Sequence, residues 1–506
     1  MSKLYVFGIG GTGSRVLKSL TMLMAAGVKV QNAAGQCYEI VPIVIDPDHA
    51  AADLTRTVKL MRDYKKVRSK LTFNNASKNA FFSNEINLTV LSGNETENIT
   101  MSLQDTLNTN FKTYIGLPLM RDEGRENANY ALASMLFSAK NLGSTMDVGF
   151  KGNPNIGSVV LNQFSNSQEF IKFAASFNQG DRIFIISSIF GGTGASGFPL
   201  LLKNLRAISD EINGNRLIKV APIGAVSVLP YFKVEPAAAD DKKSQIDSST
   251  FISKTKAALS YYDKNMNEAN VLYYVGDNVF DHYNHSEGGA EQRNNAHFIE
   301  LISALAIVDF AQIQDELLIT NIDPNNNNGV PDFGSIKYKE FGIRDETNEI
   351  IFSNLDTSTR ELIEKPMTQF VLFCKYLNEH IHDSKKGGRN QQTYAIDNNF
   401  DDLFLRSVFY QSYLNGVKTA YLEWLEEMGD NKRAFKPYEL KLTEKKLFEL
   451  VKGEKPRENI FGAKNYALFD SALNKQKTTG EKEQKFIEMF YNATEKLVTK
   501  EKFNMR

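Results

Sequence analysis

The feature that most constrains this chain occurs twice: a short apolar run that ends in glycines and passes directly into a helix. Residues 3–9 (KLYVFGI) are β-branched and aromatic, meet Gly8, Gly10, Gly11 and Gly13, and continue from Ser14 to Ala26 with Val16, Leu17, Leu20 and Leu23 at helical spacing. DRIFIISSI, from Asp181, enters a second glycine turn at Gly191, and helical sequence follows from Phe198 to Ile208. Another buried strand, EIVPIVID, ends at Asp46, and further strands are expected at 218–229 and 270–276. Strands that alternate with helices predict an α/β fold with a mostly parallel sheet covered on both faces.

Length and composition narrow the function classes. At 506 residues the chain exceeds what one hydrophobic core usually holds, so two domains or one domain with large insertions are expected. Hydrophobic residues at 42% and charged residues at 24% describe a packed globular chain rather than a disordered one. Lys and Arg number 59 against 60 Asp and Glu, which argues against a protein whose main task is neutralising nucleic-acid phosphates. Cys37 and Cys374 stand alone, without CxxC or Cys/His clusters, so neither a disulfide framework nor a zinc site is expected, no residue is assigned to a metal, and a reducing cytoplasm fits. The start MSKLYVFGIGG does not read as a signal peptide, and the apolar stretch 301–311, interrupted by Asp309, is too short to cross a bilayer.

Residues 54–148 lose the strand–helix alternation and read as an insertion, with a basic helical segment at Lys59 to Lys70 that is expected to be a solvated face. A helix apolar on nearly all sides begins near Asn294 and is expected to lie buried between two layers. NIDPNNNNG breaks it, and helical sequence carries the chain to its end, where Phe486, Met489, Phe490, Ala493 and Leu497 form a stripe expected to dock on the protein itself. The organisation expected is therefore 1–293 as a nucleotide-binding domain, 294–318 as a central helix, and 319–506 as a carboxyl-terminal domain with added helices.

The segment Gly8 to Arg15 places backbone N–H groups at a helix start, where the helix dipole and free donors favour an anion such as phosphate. Gly8, Gly10 and Gly13 also satisfy the dinucleotide fingerprint, and a purely structural tight turn is the third reading. FGGTGASG, Phe190 to Gly197, has the same setting, so two such loops on one sheet imply a polyphosphate gripped from two sides.

These loops resemble those of the tubulin/FtsZ superfamily of nucleotide-dependent filament proteins. FGGTGASG is similar to the family's GGGTGTG loop in Gly191, Gly192, Thr193, Gly194 and Gly197, around one extra or altered position, and Ala195 is counted among its nucleotide contacts. Gly10, Gly11, Thr12 and Gly13 resemble its first nucleotide loop, IDPDHAAAD with Asp46 and Asp48 the loop after the second strand, and GFKGNPNIG with Gly152 and Asn153 the next. VSVLPYFKVEP resembles the ribose-side loop and carries Glu235. Arg15 stands where the family has an Asn near the base, and Asn294, Asn295 and His297 open the helix expected to contact it, with helix capping as the plainer account.

The resemblance covers roughly 1–325. It implies a tubulin/FtsZ-like parallel-sheet nucleotide-binding domain, a buried central helix and a divergent α+β carboxyl-terminal domain with extra helices. It also implies GTP or GDP as ligand, magnesium held by phosphate and water, and head-to-tail self-association with the site at the interface. Asn321 and Asp323 resemble the start of the acidic motif that completes a neighbour's site, while the second acidic position falls on Asn326, an amide that cannot take a proton, so slow hydrolysis is expected, with Asp332 nearby. An additional protein partner is left open. Two alternatives remain: a Rossmann-type enzyme that uses NAD or adenylates a carboxylate, and a nucleotide-switched scaffold that barely hydrolyses. Against the first, Asp46 lies 33 positions beyond Gly13, where the dinucleotide pattern places its acid at about 20.

Overall fold

The computed structural model describes the chain except for residues 73–79, 94–95, 123–124, 147–148, 151, 209–214, 235–250, 279–280, 284–288, 290–292, 319–320, 323–330, 333–336, 342–346, 383–391, 443, 455–464 and 502–506. Strand β1 (Lys3–Ile9) runs into helix α1 (Gly10–Ala25), then β2 (Glu39–Ile45) into α2 (Ala52–Arg68). The segment between carries an excursion with helix α3 (Ala128–Leu136), after which come α4 (Pro154–Leu161) and α5 (Gln168–Ser176). Then follow β3 (Arg182–Ser188), α6 (Gly192–Arg206), β4 (Ile223–Val228), α7 (Phe251–Asn265), β5 (Val271–Val275) and α8 (Phe298–Gln312). Beyond α8 lie β6 (Lys337–Phe341), α9 (Thr357–Glu379), α10 (Asn415–Gly429), α11 (Asn465–Asn474) and α12 (Lys482–Lys496).

The six strands form one sheet in the order β6-β5-β4-β3-β1-β2, every neighbouring pair parallel. The strands are continuous apolar runs because helices cover both faces: every residue of β3 is buried, as are six of the seven in β1 and in β2. Burying each large side chain contributes about 1.5–3 kcal/mol. The chain leaves β1 toward β2 and later adds β3 on the opposite side of β1, so connections diverge between β1 and β3. At such a switch point the carboxyl edge opens a crevice between the diverging loops.

Two expectations change. Residues 216–220, at the start of the expected strand 218–229, form a short helix, because Asn215 caps it by accepting the Leu217 N–H at 3.1 Å; the strand begins only at Ile223, after Pro222. The helix expected from Phe198 starts six residues earlier, at Gly192, so the glycines are its first turn rather than a loop before it. The apolar helix near Asn294 begins at Phe298 and is buried through most of its length. His297 Nδ1 accepts the Ile299 N–H while Glu300 accepts the His297 N–H, a reciprocal cap that sets its start. Asp309 is tolerated there because Tyr273 OH donates to it at 2.6 Å.

The stripe at the end of the chain is buried on the protein itself. Phe486 and Phe490 pack in a ring cluster with Phe373 of α9 and with Phe400 and Phe404. Among the described residues no helix is long and apolar enough to cross a membrane. Lys59, Arg62, Lys65 and Arg68 pair with Asp63, Glu97 and Glu85, while the opposite face of α2 is buried.

Candidate functional site: a glycine-lined crevice at the sheet switch point

The carboxyl ends of β1, β2 and β3 bring three of the singled-out loops to one place. A Cβ built on Gly10 would lie 3.5 Å from Thr193 Cβ and 3.9 Å from the Gly194 nitrogen, so the starts of α1 and α6 touch across the switch point. The third glycine segment closes the corner: a Cβ on Gly192 would sit 3.1 Å from the Gly152 nitrogen and 3.2 Å from that of Asn153, and one on Gly149 3.7 Å from Thr193 Oγ1. Gly10, Gly149 and Gly152 all have positive φ (70°, 93° and 72°), which a side chain would strain.

Three helices, α1, α4 and α6, therefore begin here, and among the described residues none has a capping bond from its N-cap side chain or a carboxylate in its first turn. Their leading N–H groups lack the i−4 carbonyl that interior residues use, and the helix dipoles add positive potential at the same point. The arrangement is chemically suited to an anion with several oxygens.

Behind the first loop lies a buried ionic cluster. Arg15 donates to Glu300 at 2.5 Å, to Asp53 at 3.1 Å, to Tyr231 OH at 2.8 Å and to Thr12 Oγ1 at 3.4 Å. Expected among the nucleotide contacts, Arg15 thus directs its guanidinium inward. Arg56 bridges Asp53 at 2.9 Å and Glu427 at 2.6 Å, and Lys18 reaches the other Glu427 oxygen at 3.0 Å. Three cations meet three carboxylates, so the buried charges balance. Glu427, on α10, lies far from the glycine loops in sequence and carries no motif that could have singled it out.

Asp46 and Asp48 follow β2 at the same sheet edge, and both are buried. Asp46 accepts the Asp48 N–H at 3.0 Å, and Asp48 accepts the Gly289 N–H at 2.7 Å. Burial pushes the Asp46 carboxyl up to about 7, with the neighbouring Asp48 adding to the rise. Between the ordinary value of 3.8 and about 7 the folded chain holds a proton that the unfolded chain releases, so stability falls as pH rises through that window and levels off above it. The slope is at most ~1.4 kcal/mol per pH unit. Asp46→Asn keeps the acceptor for Asp48 and is expected to remove this part of the slope in urea unfolding compared at about pH 5 and pH 8; an unchanged slope would contradict the assignment.

The remaining expected residues are more scattered. Asn295 is exposed just before α8, and the neighbouring Asn294 donates to Asp53 at 3.2 Å. Asn321 pairs with Asp332 in a two-residue antiparallel ladder. Asp323, Asn326 and Glu235 lie outside the described residues. Among the described residues no group of three or more His, Cys, Asp or Glu could hold a metal ion.

No protein-family model and no curated protein matches the chain. Among solved structures it is similar to CetZ2 from Haloferax volcanii in a GTPgS-bound protofilament, at 13% identity and a TM-score of 0.29 over 62% of this chain and 60% of that one. It is also similar to an empty FtsZ dimer of M. jannaschii, at 14% and 0.26 over 66% and 62%, and to CetZ from Methanosaeta thermophila, at 16% and 0.24 over 55% and 46%. The match spans less than two thirds of each of those chains. CetZ and FtsZ are the proteins these similarities name.

Proposed function

We propose that this chain binds GTP and GDP in the crevice, assembles head to tail with copies of itself in a nucleotide-dependent way, and hydrolyses GTP slowly at the subunit interface. The observation that carries the reading is the meeting of the uncapped starts of α1 and α6 at the switch point, with Gly10 against Thr193 and Gly152 against Gly192. In this reading Gly10–Gly13 and Gly191–Ala195 hold phosphates from two sides, and Gly152 and Asn153 close the third. Asp46 and Asp48 face the nucleotide, Arg15 stiffens the first loop from behind, and Glu235 and Asn295 serve the sugar and base ends. The choice of guanine comes from the family resemblance. Magnesium comes from the same resemblance and would be held by phosphate oxygens and water. Asn321 and Asp323 act on the next copy, where the carboxylate of Asp323 orients water.

Sedimentation and phosphate release with GTP, GDP, ATP or NAD test the proposal together. Pelleting that needs GTP and rises with protein concentration is expected. Asp323→Ala should pellet at least as well yet release phosphate about 10²-fold more slowly, as for a lost general base. Binding of NAD in place of GTP, or phosphate release by the Asp323 variant at the wild-type rate, would contradict it.

A further inference from the structure

A triphosphate brings several negative charges, yet the described residues of the glycine and aspartate loops contain one cation, Arg15, and its guanidinium is bound to Asp53 and Glu300. Lys18, one turn further along α1, is paired with Glu427. The same edge holds two carboxylates, Asp46 and Asp48. Among the described residues of these loops, helix dipoles are left to offset this charge.

A described ammonium that is not paired with a described carboxylate comes from α7. Lys254 is half-buried and donates from Nζ to the Gly152 carbonyl at 3.1 Å. Among the described residues it has no acidic partner within ion-pair distance. Gly152 is the residue whose nitrogen crowds Gly192 at the start of α6, so the ammonium stands one residue away from the second glycine turn. Its placement is fixed by the helix that carries it: Tyr262 of α7 donates to the carbonyl of Ala195, the last residue of that turn, at 3.4 Å, and its ring packs edge-on against Phe198 of α6 at 5.3 Å. A lysine ammonium has three donors, and Gly152 takes one.

We propose that Lys254 is the cation of the site: it ties the Gly149–Asn153 segment to the terminal phosphate of a bound nucleoside triphosphate, and so distinguishes triphosphate from diphosphate. This deepens the nucleotide reading and rests on it. Binding of GTP and of GDP to the full chain is measured for the wild type, Lys254→Met and Lys254→Arg, with thermal unfolding of each. Lys254→Met keeps the alkyl stem on a half-exposed position and should unfold at the wild-type temperature. It is expected to lose about tenfold or more in GTP affinity, as for one charge-assisted bond, with GDP affinity changed by less than about threefold; Lys254→Arg should recover most of the loss. Lys151→Met, beside Gly152 in sequence, is the comparison. Equal losses for GTP and GDP, no loss at all, or a loss confined to the Lys151 variant would overturn the role of Lys254 while leaving nucleotide binding intact. A wild type that binds neither nucleotide would overturn the nucleotide reading itself and this inference with it.

Discussion

Gly11→Val is expected to abolish tight nucleotide binding while leaving the fold as stable as before. Gly11 is half-buried at the second position of α1, its φ is not positive, and a Cβ there would meet only the Arg15 guanidinium at an ordinary 3.5 Å. Nothing in the fold therefore requires glycine; a ligand against the helix start would. A branched side chain there would hold phosphate oxygens off at least two N–H donors, at about 1.5–3 kcal/mol each, or a loss of roughly 100-fold or more in affinity. Gly13→Val should behave in the opposite way. Its Cβ would overlap the backbone of Gly8 where α1 crosses β1, and the Gly8 side of the contact is backbone that cannot turn aside. Destabilisation of at least ~3 kcal/mol is expected, above the usual range for overpacking. Urea unfolding and equilibrium binding of GTP, done on both variants, separate the two classes; a Gly11 variant with wild-type affinity would remove the first glycine loop from the site.

The second large effect is expected far from any motif. Glu427→Ala would leave Lys18, Arg56 and the Ala296 N–H without their shared carboxylate in a region almost closed to solvent. Removing one member of a buried ionic cluster costs about 3–5 kcal/mol. Burial alone would raise the Glu427 carboxyl, but Lys18 and Arg56 outweigh it and hold it below its ordinary value. The stabilisation is thus present above the unfolded value of 4.5 and fades as pH falls through the lower folded one, the reverse of the Asp46 dependence. Trp424 of the same helix donates to Ser19 of α1 at 3.2 Å, so α10 clamps the helix that presents the first glycine turn. In urea unfolding, Glu427→Gln should recover part of the loss; stability of Glu427→Ala at the wild-type level would show that the cluster is not needed.

How much of this was legible in the sequence depends on the kind of signal. Strands β1, β2 and β3 were legible because each is built on a short apolar run that leads into glycine or aspartate, and a parallel sheet needs such runs. The buried helix was legible because no face of Phe298–Gln312 is polar. The glycine turns were legible as phosphate-type loops, but not which glycine serves what. Gly13 and Gly194 serve packing, since a Cβ on Gly194 would come within 2.6 Å of the Ser188 carbonyl oxygen, whereas a Cβ on Gly11 would make only an ordinary 3.5 Å contact with the Arg15 guanidinium. Those distances depend on neighbours far along the chain. The inward turn of Arg15 could not be foreseen either, because its partners Glu300 and Tyr231 lie 285 and 216 positions away. Lys254 was missed for the same reason: a single lysine on an ordinary helix gives no pattern, and only the packing of α7 on α6 brings it to Gly152.

The central claim is that nucleotide phosphates lie against the starts of α1 and α6 at the β1/β3 switch point. Backbone hydrogen exchange of the full chain with and without GTP tests it most directly, because most of the amides proposed to bind phosphate open a helix and lack an intrahelical partner, Ala195, which donates to the Gly191 carbonyl, being an exception. Slowed exchange concentrated at Gly10–Gly13 and Gly191–Ala195 is the predicted result. Unchanged exchange in both segments at saturating GTP, or protection confined to the carboxyl-terminal helices, would contradict it.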